Sequence, residues 1–153
     1  MPTRRQFIEC SLCTVAVGCV PETQYDGTAQ DQNDTAIAVD DYSYCDVEPD
    51  NGWTSVSLNT YPELNAVGGF AYISIGGQSL IVAQVISNCY VALHQACTHE
   101  GETIQYQSES ERFFCPRHAA TFSPEGFVLG GPAPAAIQSF PVARIGSELW
   151  IKV

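Results

Sequence analysis

Positive charge is scarce in this chain of 153 residues. It has six Lys and Arg residues against seventeen Asp and Glu residues, which gives a formal net charge of −11. Non-specific binding to nucleic acid depends on Lys and Arg at the phosphates, so the composition argues against a nucleic-acid partner. An acidic surface suits docking to basic proteins, although most acidic surfaces are only solvated.

Long apolar runs are also missing. No stretch of about 18 or more apolar residues occurs, so the sequence contains no ordinary membrane-spanning helix. Membrane attachment would have to come from the N-terminus. No segment has sustained helical periodicity, and neither a glycine-rich nucleotide motif nor a nucleophile elbow is present.

Residues 1–19 have features of an export signal. The run TRRQFI at residues 3–8 is similar to the twin-arginine motif, and the run AVGC is similar to a lipobox ending at Cys19. Glu9 and two cysteines lie in or beside the apolar stretch, so a plain basic N-terminus is the alternative. We expect export to the periplasmic side of the membrane, and lipidation of Cys19 stays open.

Residues 20–50 are acidic, contain no Lys or Arg, and have few aliphatic side chains. Such a segment buries too little apolar surface to offset the entropy lost on ordering. We therefore expect a flexible tether, in which only residues 36–39 would pair with another segment of the chain.

From Trp53 onward the pattern indicates short β-strands, so we expect residues 51–153 to form an all-β domain. Residues 54–58 alternate with period two, and the pair Gly76-Gly77 is a hairpin signal. Residues 79–86 are almost all apolar, as in a strand buried on both faces. Further strands are predicted at residues 70–75, 89–93, 103–107, 112–114, 127–129, 137–142 and 148–153.

Two mixed pairs carry the chemistry of this domain. Cys97 and His99 form a Cys-x-His pair, and Cys115 and His118 form a Cys-x-x-His pair. A [2Fe–2S] cluster with both cysteines on one iron and both histidines on the other fits this donor set. One structural zinc is an alternative, although zinc sites usually pair like with like. A chain in which these residues bind no metal is another, since buried cysteine is common.

The two pairs, in CTHEG and CPRHAATF, resemble the cluster motifs of the Rieske iron–sulfur family. The runs YPELNAVGG, CYVAL and GGPAPAAIQSFPV also look like Rieske sequence, in the same order, so the resemblance extends from Trp53 to Val153. It implies stacked antiparallel sheets with two cluster-binding loops at one tip. It also implies a third loop over the cluster, containing Gly131 and Pro132, where proline would make the cover rigid. The implied ligands of a Rieske-type [2Fe–2S] cluster are Cys97, His99, Cys115 and His118.

The chain departs from the quinol-oxidising and high-potential members of this family. Two cysteines that join the cluster loops there are matched by Glu102 and Arg117, between which we expect a charge-assisted pair. A Ser and a Tyr that donate hydrogen bonds to sulfur are matched by Ala120 and Phe122, which have no donor. Because donors to sulfur stabilise the reduced cluster, we expect a potential in the lower half of the range of about −150 to +300 mV.

Seven cysteines are present. If Cys97 and Cys115 bind iron and three others belong to the N-terminal segment, Cys45 and Cys89 remain. An even number of remaining cysteines in an exported protein tends to form disulfides, so we expect a disulfide between these two. Two unrelated buried thiols are the alternative.

The resemblance implies one-electron transfer with no complete catalytic site. An oxygenase iron site needs two further histidines, and only His94 is left. Two functions therefore stay open. One is a small exported electron-transfer protein. The other is the Rieske subunit of a membrane or periplasmic oxidoreductase, such as a quinol-oxidising cytochrome bc complex or an arsenite-oxidase-like enzyme. The partners would be redox proteins or a larger subunit, and a zinc-stabilised binding domain is a third class.

Overall fold

The computed structural model describes Cys45 and residues 47–153. The expected export signal, the lipidation candidate Cys19 and nearly all of the expected tether lie outside the described residues. Within them the regular structure is β-strand with short 3₁₀ helices at Pro62–Asn65 and Ser108–Ser110. Neither helix approaches the length and hydropathy needed to cross a membrane. The strands are β1 (Thr54–Ser57), β2 (Phe70–Ile75), β3 (Gln78–Ile86), β4 (Cys89–His94), β5 (Gln105–Gln107), β6 (Arg112–Phe114), β7 (Thr121–Phe122), β8 (Val128–Gly130), β9 (Ser139–Phe140), β10 (Val142–Ile145) and β11 (Glu148–Ile151).

All pairs of these strands are antiparallel, and they form three sheets. The central sheet has the order β2-β3-β4-β9, and the flanking sheets have the orders β1-β11-β10 and β5-β6-β7-β8. The expected all-β fold of antiparallel sheets is thus confirmed. The sheet β5-β6-β7-β8, which we call the loop sheet, carries the second Cys–His pair between β6 and β7.

Strand β3 shows why the sheets stack. Its six residues from Leu80 to Val85 are all buried. Because successive side chains of a strand point to opposite faces, β3 supplies two cores at once. Ile81 and Ala83 belong to the first core, which lies against the loop sheet, whereas Leu80 and Val82 belong to the second core, which lies against β1-β11-β10. Each fully buried aliphatic side chain stabilises the fold by roughly 1.5–3 kcal/mol.

Most of the predicted strands are present, and the errors are local. Gly76 and Gly77 form the β2–β3 hairpin turn with φ angles of +56° and +79°, which glycine adopts readily. Strand β7 was not predicted, because two residues beside a β-bulge carry too short a pattern to detect. The expected strand over residues 137–142 is shorter, and β10 begins at Val142 instead.

A disulfide joins Cys45 to Cys89, the pair expected from the cysteine count. Their Cα atoms are 5.2 Å apart and 44 positions separate them in sequence. Cys89 begins β4, and Cys45 packs against the first core. A cross-link that closes a loop of this size stabilises a domain by roughly 2–4 kcal/mol. It fixes Cys45 to the strand that leads to the first Cys–His pair.

Candidate metal centre

The first Cys–His pair lies in a loop that begins at the end of β4. Residues around it are fixed by an isolated bridge between Ala96 and Thr103. The backbone N–H of Cys97 donates to the carbonyl of Glu102 at 2.8 Å, and the N–H of Gly101 donates to the carbonyl of Cys97 at 2.8 Å. Residues 97–102, the first loop, are thereby folded into a closed turn.

The second loop, residues 115–120, repeats this arrangement between β6 and β7. The N–H of Cys115 donates to the carbonyl of Ala120 at 2.8 Å, and the N–H of Ala119 donates to the carbonyl of Cys115 at 3.0 Å. The corresponding residues Gly101 and Ala119 both have left-handed backbone angles, with φ of +75° and +58°. Glycine adopts such an angle freely, whereas alanine does so at a cost, so the second loop is the strained one.

The two cysteines lie side by side inside the first core. Cys97 is 3% exposed, Cys115 is 1% exposed, and neither takes part in a disulfide. Burial raises the pKa of the Cys97 thiol above its ordinary value. The backbone N–H groups of His99 and Glu100 lower that pKa, whereas the neighbouring Cys115 thiol raises it. A cation at this place would stabilise the thiolate that burial disfavours.

The two histidines lie on the solvent side of these thiols and face each other. Nδ1 of His99 is 3.1 Å from Nδ1 of His118, and the ring centroids are 4.8 Å apart. The side chain of His118 is 40% exposed, so the imidazole end of the site is open to solvent. Two coordinating nitrogens converge here on one point, as two ligands of one metal ion would.

A third segment, residues 130–135, covers the second loop. The φ angle of Gly131 is +86°, and a Cβ atom there would lie 2.6 Å from the Cα atom of Ala120. The hydroxyl of Thr98 donates a 2.6 Å hydrogen bond to the carbonyl of Ala135, which ties this segment to the first loop. Pro132 lies exposed between these contacts, and Ala133 packs against the first core.

The expected pairing of Arg117 with Glu102 is wrong. Nε of Arg117 lies 3.2 Å from a carboxylate oxygen of Glu100. The Glu102 carboxylate instead accepts the N–H of Thr103 at 3.2 Å, because its residue is held at the closed end of the first loop. Glu100 lies at the outer turn of that loop, also 3.8 Å from Nδ1 of His118. An ion pair between the loops is therefore present, but with a residue that sequence reasoning missed.

Ala120 and Phe122 are both completely buried in the first core, together with the two cysteines. Phe122 pairs with Phe113 across β6 and β7, which fixes its ring inside the domain. Neither side chain has a group that could donate a hydrogen bond to a sulfur atom. At positions 120 and 122 the core around the cysteines is thus apolar.

The donor set as a whole has two unlike ends. Two thiols form the buried end, and two imidazoles form the exposed end, on loops with one common backbone pattern. A [2Fe–2S] group with two sulfur-ligated and two nitrogen-ligated positions requires this separation, whereas one tetrahedral zinc ion does not. The residues present fit such a group.

Comparison with known proteins agrees with this geometry. Residues 57–141 match the family model described as Rieske [2Fe–2S] domain, which is more than half of the chain. Cytochrome b6-f complex iron-sulfur subunit 1 of Synechocystis sp. is 32% identical over 72 residues, which are 47% of this chain and 40% of that protein. The carotenoid phi-ring synthase of Chlorobaculum tepidum is 30% identical over 89 residues, which are 58% of this chain and 14% of that one. The matched part thus spans less than half the length of these relatives.

Solved structures show the same fold. The plasma membrane Rieske protein PetC3 from Synechocystis PCC 6803 has a TM-score of 0.53 and 23% identity, over 65% of this chain and 99% of that one. The ferredoxin of carbazole 1,9a-dioxygenase from Nocardioides aromaticivorans IC177 has a TM-score of 0.54 and 18% identity, over 63% and 91%.

Exchanging the residue types at the matching loop positions should shift stability in opposite directions. Ala119→Gly should stabilise the domain by about 1 kcal/mol because it removes the strained left-handed alanine. Gly101→Ala should destabilise it by a similar amount through the backbone alone, since no atom lies within 4 Å of the added Cβ. Chemical denaturation followed by circular dichroism measures both changes. A loss of stability in Ala119→Gly would contradict the inference that the backbone at Ala119 is strained.

The ion pair between the loops should be detectable as an energetic coupling. In a double-mutant cycle with Glu100→Gln and Arg117→Met, read out as cluster loss on heating, we expect a coupling of about 0.2–1 kcal/mol that shrinks with added salt. The matched control is the same cycle with Glu102→Gln, which should show additive effects. If Arg117 were coupled to Glu102 and not to Glu100, the assignment of Glu100 as its ion-pair partner would be wrong.

Proposed function

The chain belongs to the Rieske [2Fe–2S] family, and from this premise we propose that it is a small exported protein that transfers single electrons between redox partners. When bound, the cluster supplies a one-electron redox centre. The observation that carries the proposal is the division of the site, with two buried thiols beneath two imidazoles that face solvent.

We assign the ligands residue by residue. Cys97 and Cys115 would hold one iron as thiolates inside the first core, and His99 and His118 would hold the other through the Nδ1 atoms that converge at 3.1 Å. The backbone N–H groups next to Cys97 would stabilise sulfur charge there. The segment containing Gly131 would keep water away from the second loop.

The exposed end of the site supports transfer between proteins. Electrons cross between proteins only where a redox centre approaches the surface, and the His118 side chain provides such a place because it is 40% exposed. Among the described residues we find no further histidines that could build an oxygenase iron site, since only His94 lies outside the two pairs. The proposed role is therefore transfer rather than substrate turnover.

A second function is favoured by a specific observation. Several relatives are iron-sulfur subunits of cytochrome b6-f complexes, so the chain could serve as the Rieske subunit of a quinol-oxidising complex. The departures from the quinol-oxidising and high-potential pattern favour the small electron-transfer protein instead. They lie at Glu102, Arg117, Ala120 and Phe122. Purification from native membranes separates the two, since a subunit would elute with a fixed large partner.

Export and anchoring rest on residues 1–19. The twin-arginine-like run and the lipobox-like run before Cys19 support delivery of a folded protein to the periplasmic side, with lipidation of Cys19 as the attachment. Mass spectrometry of the mature N-terminus distinguishes a lipidated Cys19 from an unprocessed basic N-terminus.

Loss of either proposed histidine ligand should abolish or drastically change the cluster. His118→Ser removes one of the two converging nitrogens, so we expect loss of the visible absorption and of the paramagnetic signal of the reduced protein. His94→Ser is the matched control, because His94 belongs to neither Cys–His pair and its Nδ1 accepts the N–H of Ala96 at 3.2 Å, so both spectra should stay unchanged. An unchanged His118→Ser spectrum would refute the ligand set, and a colourless zinc-containing wild-type protein would refute the cluster.

The midpoint potential should lie in the lower half of the Rieske range of about −150 to +300 mV. Installing the missing donors, as Ala120→Ser with Phe122→Tyr, should raise it, since hydrogen bonds to sulfur stabilise the more negative reduced state. The control pair Ala71→Ser with Phe140→Tyr adds the same hydroxyls to the second core and should not shift the potential. A wild-type midpoint well above the middle of the range would favour quinol oxidation instead.

A further inference from the structure

Strand β8 and the residue before it carry a concentration of exposed apolar side chains. Phe127 is 64% exposed, Val128 is 37% exposed and Leu129 is 50% exposed, and they are consecutive in the chain. The other large exposed hydrophobic residues of the described chain occur singly. Because successive side chains of a strand point to opposite faces, Phe127 and Leu129 share one face and Val128 belongs to the other. Single exposed apolar residues are ordinary on a protein surface, whereas neighbouring ones on one face indicate a site of interaction.

This group, which we call the β8 patch (residues 127–129), lies on an open strand edge. β8 is the last strand of the loop sheet, and β7 is its neighbour in that sheet. The opposite edge strand β5 has the polar residues Gln105 and Gln107 at its exposed positions. Edge strands are normally protected by charge or proline, and β8 has neither.

The backbone that presents the patch is held in place. The N–H of Phe127 donates to the hydroxyl of Ser123 at 3.2 Å, and its carbonyl accepts the N–H of Ser123 at 2.8 Å. The carbonyl of Gly126 accepts the N–H of Ile137 at 2.9 Å. A partner that binds here therefore meets an ordered surface and loses little conformational entropy in ordering it.

The patch is continuous with the metal centre. β8 ends at Gly130, and the next residue, Gly131, packs against Ala120 of the second loop. A protein bound to β8 would thus lie next to the segment that covers the cysteine-bearing loop. That position is useful for electron transfer, because it brings a second redox centre close to the first.

Charge decides which kind of partner fits. Between Arg117 and Arg144 the only charged residue is Glu125, and the chain as a whole has a net charge of −11. A second copy of the chain or an anionic membrane would be repelled by this charge, whereas a basic protein would be attracted. The patch itself has no charge and would need an apolar counterpart.

We propose that the β8 patch is the docking surface for a basic redox protein that presents an apolar face rimmed by Lys or Arg. The proposal rests on the electron-transfer function and names the surface through which it operates. In the transfer, one electron leaves the reduced protein and converts the partner from its oxidised to its one-electron-reduced state, with no bond made or broken.

The experiment uses the full chain, reduced with dithionite and freed of excess reductant, and a basic ferric c-type cytochrome as the probe. Stopped-flow absorbance follows reduction of the haem. Phe127→Ser with Leu129→Ser should lower the second-order rate constant at least fivefold at low salt. The matched control Ile145→Ser, which alters an exposed apolar residue of β10, should stay within twofold of the wild type.

Charge substitutions within the patch test the basic rim. Leu129→Lys should react more slowly than Leu129→Glu, and the difference should vanish as salt screens the rim. Equal rates for these two variants at low salt, or an unchanged rate for the double Ser variant, would overturn the proposal. Matching visible spectra and melting temperatures would show that the variants are folded and loaded.

Two further outcomes would also overturn it. If sedimentation shows a dimer that Leu129→Lys dissociates, the patch binds a second copy. If the wild type but not the double Ser variant sediments with neutral phosphatidylcholine vesicles, it binds a lipid surface. Oxidation by ferricyanide, a small acceptor that needs no docking surface, separates the two claims. If ferricyanide does not oxidise the reduced protein, the electron-transfer function itself is refuted. If ferricyanide oxidises it but the wild type and the double Ser variant reduce the cytochrome at equal rates, only the docking role of the β8 patch is refuted.

Discussion

The domain depends on one constraint, which is that the two cysteines must be buried while the two histidines lie at the solvent-exposed side of the site. The backbone of each loop solves this locally, because the cysteine is bound to the closing end of its own loop and points into the first core. The histidines at 99 and 118 then follow the cysteines toward the outside. The doubly buried strand β3 supports this arrangement, since one of its faces supplies the apolar floor beneath both cysteines while the other anchors the domain to a second core.

Three weak links hold the loops to each other where related proteins use a covalent one. The Glu100–Arg117 ion pair joins the first loop to the second, the Thr98 hydroxyl joins the first loop to the covering segment, and Gly131 presses that segment onto the second. The ion pair is half-exposed and contributes little stability. The contact at Gly131 tolerates no side chain, so it depends on shape rather than charge. The tip is consequently held by packing and backbone hydrogen bonds, and its ion pair responds to salt.

Sequence reasoning reached the two Cys–His pairs that the structure brings together, the all-β class and most strands, because each is encoded locally. The burial of 79–86 follows from an apolar run, and the Gly76-Gly77 turn follows from the freedom of glycine. The partner of Arg117 could not be obtained in this way. Alignment with a disulfide of the family indicated Glu102, but a disulfide requires neighbouring Cα atoms, whereas a long Arg side chain reaches the outermost carboxylate. Strand β7 escaped because two residues carry too short a pattern, and the β8 patch escaped because its meaning depends on which strand lies at the edge of the sheet.

The identity of that ion pair changes the electrostatics of the site. An unpaired Arg117, two positions from Cys115, would be a positive charge that raises the potential of a bound cluster. With Glu100 at 3.2 Å its charge is largely neutralised, and the carboxylate also lies 3.8 Å from Nδ1 of His118. The pair as a whole has no net charge, so neither partner exerts the full effect of its charge on a bound cluster. The positive charge that would oppose the missing donors at Ala120 and Phe122 is therefore weaker than that of an unpaired Arg117. The backbone N–H groups beside Cys97 act to raise the potential, whereas the two missing side-chain donors act to lower it, and the missing donors support the proposed low-potential electron carrier.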